Sequence, residues 1–253
     1  MTLHHRDEGT GPVVVLLHAG VADLRMWDLP AAELARDHRV VRCDLRGFGG
    51  SALAPGASYS DAEDVLALLD ELGLDRFLLV GASYGGYVAL QVASAVPDKV
   101  ERLVLLAAAA DLLEPDEGMR GLWAEEGRLV DAGDLAGATE LNVRTWLGPE
   151  ADEDARELVR RMQRDALESQ VAAGDVDNRD LPVVPERLTM PARVVVGLLD
   201  QPFFVATGRE LARRLPAAQL EELAWAGHLP TLERPSEAMR LLGVTATGET
   251  AGP

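Results

Sequence analysis

Cysteine is nearly absent, with Cys43 the only one in 253 residues. A lone thiol cannot form an intrachain disulfide, so the fold does not depend on an oxidising compartment. Lysine is as scarce, since Lys99 is the only one among 24 basic residues. Positive charge is outweighed by 42 acidic residues, giving a net charge of −18. That balance argues against binding nucleic acid by phosphate neutralisation and against anionic membrane surfaces. The longest apolar run, 103–110, is strand-sized and falls short of the about 18 residues a membrane span needs. The first residues have no apolar core and do not resemble a signal peptide. There is no Gly-rich phosphate loop, no His/Cys cluster at metal-ligand spacing and no dinucleotide fingerprint. The expectation is a cytoplasmic protein without metal or cofactor, a monomer or homodimer, whose partner is a small molecule.

What is present is ordinary globular material, 47% hydrophobic and 26% charged. The length suits one large α/β domain, or such a domain with an insertion. After a possible short edge strand at 3–7, apolar runs at 13–17, 39–43, 77–80 and 100–107 alternate with helical patterns. Those helices are expected at 28–36, from Ser60 to the stop at Gly73, and at 86–95. Ser60 can cap its helix, with Glu63 three residues on. Continuous apolar strands between helices call for a parallel sheet buried on both faces. From 111 to 188 no strand signal is visible. Amphipathic helices are expected there at about 115–132, 134–146, 151–172 and 174–180. The alternation then resumes with a strand at 193–197, a helix at 204–215, a strand at 219–223 and a helix at 231–242. A small, polar tail covers 243–253. The expected organisation is a core of 1–110 and 189–253 with an inserted helical subdomain at 111–188.

The chain pivots on Gly81-Ala82-Ser83-Tyr84-Gly85. This G-x-S-x-G lies between a buried strand and a helix, the setting of a nucleophile elbow, which lifts a serine hydroxyl above the end of a sheet. Side chains at 81 and 85 would collide with the adjoining strand and helix. A serine needs a base, and the base needs a carboxylate to hold its tautomer. Of the five histidines, His4 and His5 precede the core, His18 falls in an early loop and His38 in a charged one. His228, after the last strand, is the candidate base. The candidate acid is Asp200, beyond the strand at 193–197 and after a glycine turn. Asp111, beyond the strand at 100–107, is the alternative. Oxyanion donors are expected from the backbone N–H groups of Tyr84, after the nucleophile, and of Gly20, after the strand at 13–17. His18 is expected to brace that loop, and 44–51 to form a rigid structural turn. Trp123 and Trp146 are candidate substrate-lining residues, with helix packing as the alternative reading.

With these residues in place, the chain resembles the α/β-hydrolase superfamily over about residues 2–243. Leu16-Leu17-His18-Ala19-Gly20 looks like its oxyanion loop, although Ala19 stands where glycine is frequent. Asp44-Leu45-Arg46-Gly47-Phe48-Gly49-Gly50-Ser51 looks like its D-x-R-G-x-G-x-S turn. Gly197-Leu198-Leu199-Asp200 resembles the acid turn, and Gly227-His228 with Leu232-Glu233-Arg234-Pro235 the histidine loop and final helix. The loop from His18 through Asp23-Leu24-Arg25-Met26-Trp27 is most similar to 3-oxoadipate enol-lactonase-like esterases. That resemblance implies an α/β-hydrolase fold, mostly parallel, without cofactor and with 111–188 as a helical cap. It also implies cleavage of a small carboxylic ester or lactone. Alternatives on the same scaffold are a cofactor-free haloperoxidase or perhydrolase and a ligand receptor. Serine at position 83 argues against haloalkane dehalogenases and epoxide hydrolases, whose nucleophile is Asp. The H-G-G-x-P-G loop of carbon–carbon bond hydrolases and proline iminopeptidases is absent. Leu229 stands where many carbon–carbon hydrolases carry Trp.

Overall fold

The computed structural model describes residues 3–244. In chain order the strands are β1 (His5–Glu8), β2 (Val13–Leu17), β3 (Arg39–Cys43), β4 (Ser58–Tyr59), β5 (Phe77–Ala82), β6 (Val100–Leu106), β7 (Asp177–Asn178), β8 (Ala192–Gly197) and β9 (Ala218–Leu223). The α-helices are α1 (Asp28–Leu34), α2 (Asp61–Glu71), α3 (Tyr84–Ala95), α4 (Glu117–Asp131), α5 (Leu135–Trp146), α6 (Glu153–Ala173), α7 (Pro202–Arg214), α8 (Pro230–Glu233) and α9 (Ala238–Leu241). Seven strands form one sheet in the order β1-β3-β2-β5-β6-β8-β9. Only the edge pair β1–β3 is antiparallel. This is an α/β-hydrolase fold, a mostly parallel sheet flanked by helices. Among the described residues no helix is long and apolar enough to cross a membrane.

The apolar runs are continuous because alternate residues enter two different cores. Val15, Leu17, Val41, Leu79 and Leu103 face the core covered by α2, α3 and the end of α7, through Val65, Val88 and Leu211. Val14, Leu16, Val40, Val80 and Val104 face the core covered by α1 and α9, through Leu34 and Leu241. Each such side chain, fully buried, contributes roughly 1.5–3 kcal/mol. Ser60 caps α2 by accepting from the Glu63 N–H at 3.4 Å.

β2 lies between β3 and β5. The chain leaves β2 toward the helix on one face and leaves β5 toward the helix on the other. Such a switch opens a crevice at the carboxyl ends of the two strands, where open α/β sheets bind ligands. The loop after Leu17 and the elbow after Ala82 therefore share that crevice.

Between β6 and β8 stand α4, α5 and α6. Each begins with an aspartate cap: Asp116 accepts from Met119 at 2.8 Å, Asp134 from Gly137 at 2.9 Å and Asp152 from Ala155 at 2.8 Å. Their apolar stripes (Met119, Val143, Val159, Met162) join the α1–α9 side of the core.

Three expectations differ from the structure. The helix expected at 174–180 does not form, because Gly174 ends α6 at φ +62°. Asp177–Asn178 instead pairs in parallel with β4, so this region does hold a strand. The helix expected at 231–242 is broken into α8, a 3-10 turn at Pro235–Glu237 and α9. Pro235 lacks an N–H and forces Arg234 into extended backbone, φ −134° and ψ 86°. The expected polar tail, beyond residue 244, lies outside the described residues.

Candidate active site

Ser83 stands between β5 and α3 with φ +49° and ψ −115°, a conformation side chains rarely adopt. Its backbone is held there by several bonds. The Ser83 N–H donates to Leu106 O at 2.9 Å, and its carbonyl accepts from Gly86, Tyr87 and Ala109 at 2.9, 3.2 and 3.0 Å. The turn is tight enough to require glycine on both sides. A Cβ at position 81 would meet Gly85 O at 2.3 Å, and one at position 85 would meet His18 O at 2.4 Å and Leu17 O at 2.5 Å.

His228 follows β9 and Asp200 follows β8, and those strands are parallel neighbours in register from Ala192 to Gly197. Adjacent loops therefore bring the two side chains together. His228 Nε2 lies 2.7 Å from Ser83 Oγ, and its Nδ1 lies 2.6 Å from Asp200 Oδ2. Both side chains are buried, at 2% and 1% exposure. The second Asp200 oxygen accepts the Gln201 N–H at 2.6 Å. The glycine turn before Asp200 has a steric reason, since a Cβ at Gly197 would sit 2.0 Å from Gly227 O. Asp111 is exposed and lines a separate hollow with Tyr87 and Asp180. The His228 imidazole is flanked by two rings, Trp146 at 4.6 Å and Phe204 at 4.4 Å between centroids.

Four supports escape a reading of the sequence. Glu233, buried on α8, accepts the N–H groups on both sides of His228, from Gly227 at 2.7 Å and Leu229 at 3.0 Å. Burial pushes its carboxyl above the usual range, against the pull of those bonds and of the Gly148 N–H. Phe204 was readable only as an aromatic soon after Asp200. Asp61, also buried and also pushed up by burial, accepts the Tyr84 hydroxyl at 2.6 Å. Asn178, on the unforeseen β7, donates to the Tyr84 hydroxyl at 2.7 Å and to Asp61 at 3.1 Å. No periodicity signals a contact between residues so far apart in the chain.

Gly20 and Tyr84 face each other, with a Cβ built on Gly20 falling 3.3 Å from Tyr84 Cβ. Neither N–H is taken by a backbone acceptor among the described residues; that of Tyr84 opens a helix, where none is available. His18 is fully buried and accepts the Leu45 N–H at Nε2, 2.9 Å, while Nδ1 lies 2.9 Å from Ala19 O. Those partners place its proton on Nδ1. Burial lowers its pKa, so the ring stays neutral and ties two loops together. Asp44 organises the 44–51 turn by accepting from Leu24 at 2.7 Å and Gly50 at 2.8 Å.

Above Ser83 and His228 lies a hollow of about 330 Å³. Gly20, Tyr84, Ser83 and His228 belong to its floor, and Trp123, Trp146, Asn142 and Gln163 to its roof. Trp146 is 7% exposed and also donates from Nε1 to Asn142 Oδ1 at 2.7 Å, while Trp123 is 44% exposed. A hydroxyl, an imidazole and a carboxylate in one hydrogen-bonded line can move a proton off the serine. The two free N–H groups beside it can hold an oxygen anion. No group of His, Cys, Asp or Glu suited to a metal occurs among the described residues.

A model of the alpha/beta hydrolase family matches residues 14–240. The chain is 29% identical to 2-hydroxymuconate semialdehyde hydrolase from Pseudomonas sp. (strain CF600), covering 94% of this chain and 87% of the relative. Among solved structures it is similar to a thermophilic esterase from Thermogutta terrifontis. There the TM-score is 0.80 at 29% identity, over 94% of this chain and 90% of the esterase. It is also similar to the enol-lactonase from Burkholderia xenovorans LB400, with a TM-score of 0.77 at 28% identity over 94% of each chain.

Proposed function

We infer that this chain, which belongs to the alpha/beta hydrolase family, is a serine hydrolase that cleaves a small carboxylic ester or lactone. The observation that carries this reading is the buried line Asp200–His228–Ser83, with spacings of 2.6 and 2.7 Å. Similarity to an esterase and an enol-lactonase supports the choice of bond.

In this reading Ser83 Oγ adds to the substrate carbonyl while its proton passes to His228 Nε2. Asp200 orients the ring and stabilises the imidazolium through Nδ1. The N–H groups of Gly20 and Tyr84 receive the oxyanion, aided by the low dielectric of a closed site. Collapse breaks the bond to the alcohol oxygen, which takes the proton from His228. In a lactone that alcohol stays tethered to the acyl group. Water then gives a proton to His228 and its oxygen to the acyl carbon. Ser83 leaves with the proton returned. Residues 111–188 act as a cap on the core of 1–110 and 189–253, with Trp123 and Trp146 lining the substrate space.

The test is turnover of p-nitrophenyl acetate by Ser83→Ala, with intact-mass detection of a fluorophosphonate adduct on the unaltered protein. Turnover is expected to fall roughly 10⁴-fold or more, and the adduct to require Ser83. Near-normal hydrolysis by Ser83→Ala would sink the reading.

A further inference from the structure

The wall of the hollow carries information that the triad does not. Among the described residues it holds no Lys or Arg, and its single carboxylate is Glu126. That carboxylate faces inward to the roof, accepting from Asn142 Nδ2 at 2.6 Å. Arg46 lines the adjoining hollow, but its guanidinium is engaged by Asp64, with Nη2 to Oδ1 at 2.8 Å. An anionic substituent entering beside Glu126 would lose its hydration and gain only a like charge.

Three carboxamides line the hollow; Gln170 is only half-buried, and the two buried ones, Asn142 and Gln163, differ in how they are used. Asn142 is fully engaged: Nδ2 also donates to Ala138 O at 3.0 Å, and Oδ1 accepts from Trp146. Gln163, on α6, is 4% exposed, and its Oε1, shielded from solvent, has no partner among the described residues. Buried carboxamide oxygens are seldom left so. Rotation about χ3 lets this amide accept one hydrogen bond or offer two. Groups that match it are those with both a donor and an acceptor. In the same hollow Phe48, Trp146 and Leu167 supply apolar wall for an alkyl chain.

We propose that the hollow selects a neutral ester or lactone whose acyl chain carries an uncharged hydrogen-bonding group, a carboxamide or hydroxyl, received by Gln163. It rejects an acyl chain that ends in a carboxylate. The acyl half is the part addressed, because it stays on Ser83 through both halves of the reaction. This inference rests on the hydrolase reading above and goes further by naming the substrate class.

The experiment uses three p-nitrophenyl esters of matched chain length, ending in methyl (hexanoate), carboxamide (adipamate) or carboxylate (the adipate monoester). The expected order of kcat/KM is carboxamide, methyl, carboxylate, with the first at least about tenfold above the last. Gln163→Leu should collapse the carboxamide-to-methyl ratio, and Glu126→Gln should narrow the gap between carboxamide and carboxylate. The same order should appear as dissociation constants in Ser83→Ala, read by tryptophan fluorescence, which separates recognition from turnover. A carboxylate ester equal to or better than the carboxamide ester overturns the inference. So does an unchanged carboxamide-to-methyl ratio in Gln163→Leu. If all three esters turn over through Ser83 without that preference, the inference fails alone. If none needs Ser83 for turnover, the hydrolase reading fails, and the binding order in Ser83→Ala still decides the selectivity.

Discussion

Ser83 and His228 sit on backbone with no space to move, whereas Trp146 and Gln163, across the hollow, ride on helices held by caps and ion pairs. On the floor, added atoms at Gly81, Gly85 or Gly197 would fall 2.0–2.5 Å from carbonyl oxygens. On the roof, glycines 121 and 127 of α4 have nothing within 4 Å of an added Cβ. The roof is tied by exposed pairs such as Arg160 with Glu140 and Glu157, each worth little in water. One wall is built to hold reacting atoms within a fraction of an ångström. The other presents a lining that, Trp146 against His228 apart, can differ without touching the reacting groups.

Four substitutions break or sharpen this contrast, from the largest effect to the smallest. Gly85→Ala drives a methyl into Leu17 O and His18 O. It should cost about 3 kcal/mol or more, by urea unfolding, and abolish turnover. Glu233→Ala leaves the Gly227 and Leu229 N–H groups buried without an acceptor. We expect about 2–3 kcal/mol of lost stability, with kcat falling more than KM rises because the His228 loop loses its clamp. Asp61→Asn sharpens the contrast through pH. Burial raises the folded-state pKa of Asp61, so the folded protein binds the proton more tightly than the unfolded chain does. The stability this confers is present below the unfolded carboxyl pKa and is lost as pH rises through the folded one. The melting temperature of the unaltered protein, relative to Asp61→Asn, should therefore decline as pH rises above the ordinary carboxyl range. Asp152→Ala removes only the α6 cap and should cost about 1 kcal/mol, with kcat on p-nitrophenyl acetate within about twofold. A larger loss of turnover from Asp152→Ala than from Glu233→Ala would overturn the contrast.

The fold was readable from the apolar runs because a sheet buried on both faces demands them, and the start of α2 from Ser60 because the first turn demands acceptors. Ser83 stood out because only glycine tolerates the neighbours of that turn. His228 and Asp200 stood out by chain order, since parallel strands in sequence must end at the same edge. Asn178 did not stand out, because a two-residue strand has no periodicity. Nor did Glu233, since a carboxylate in a polar stretch reads as a surface residue until its loop folds back over it. The break at Pro235 was written in the sequence, yet the apolar pattern spoke for one continuous helix.

The sequence by itself determined the strands of the main sheet, most of the helices, their order, and the serine turn, because those follow from local sterics and from burial periodicity. Only the tertiary structure decided that His228 meets Asp200 rather than Asp111. It alone clamped that loop through Glu233 and, among the described residues, left the Gln163 Oε1 unpaired in a wall without Lys or Arg. The first joins loops 28 residues apart and the second is a loop folded back on itself over six, and both are set by how strands and helices pack rather than by any repeat along the chain.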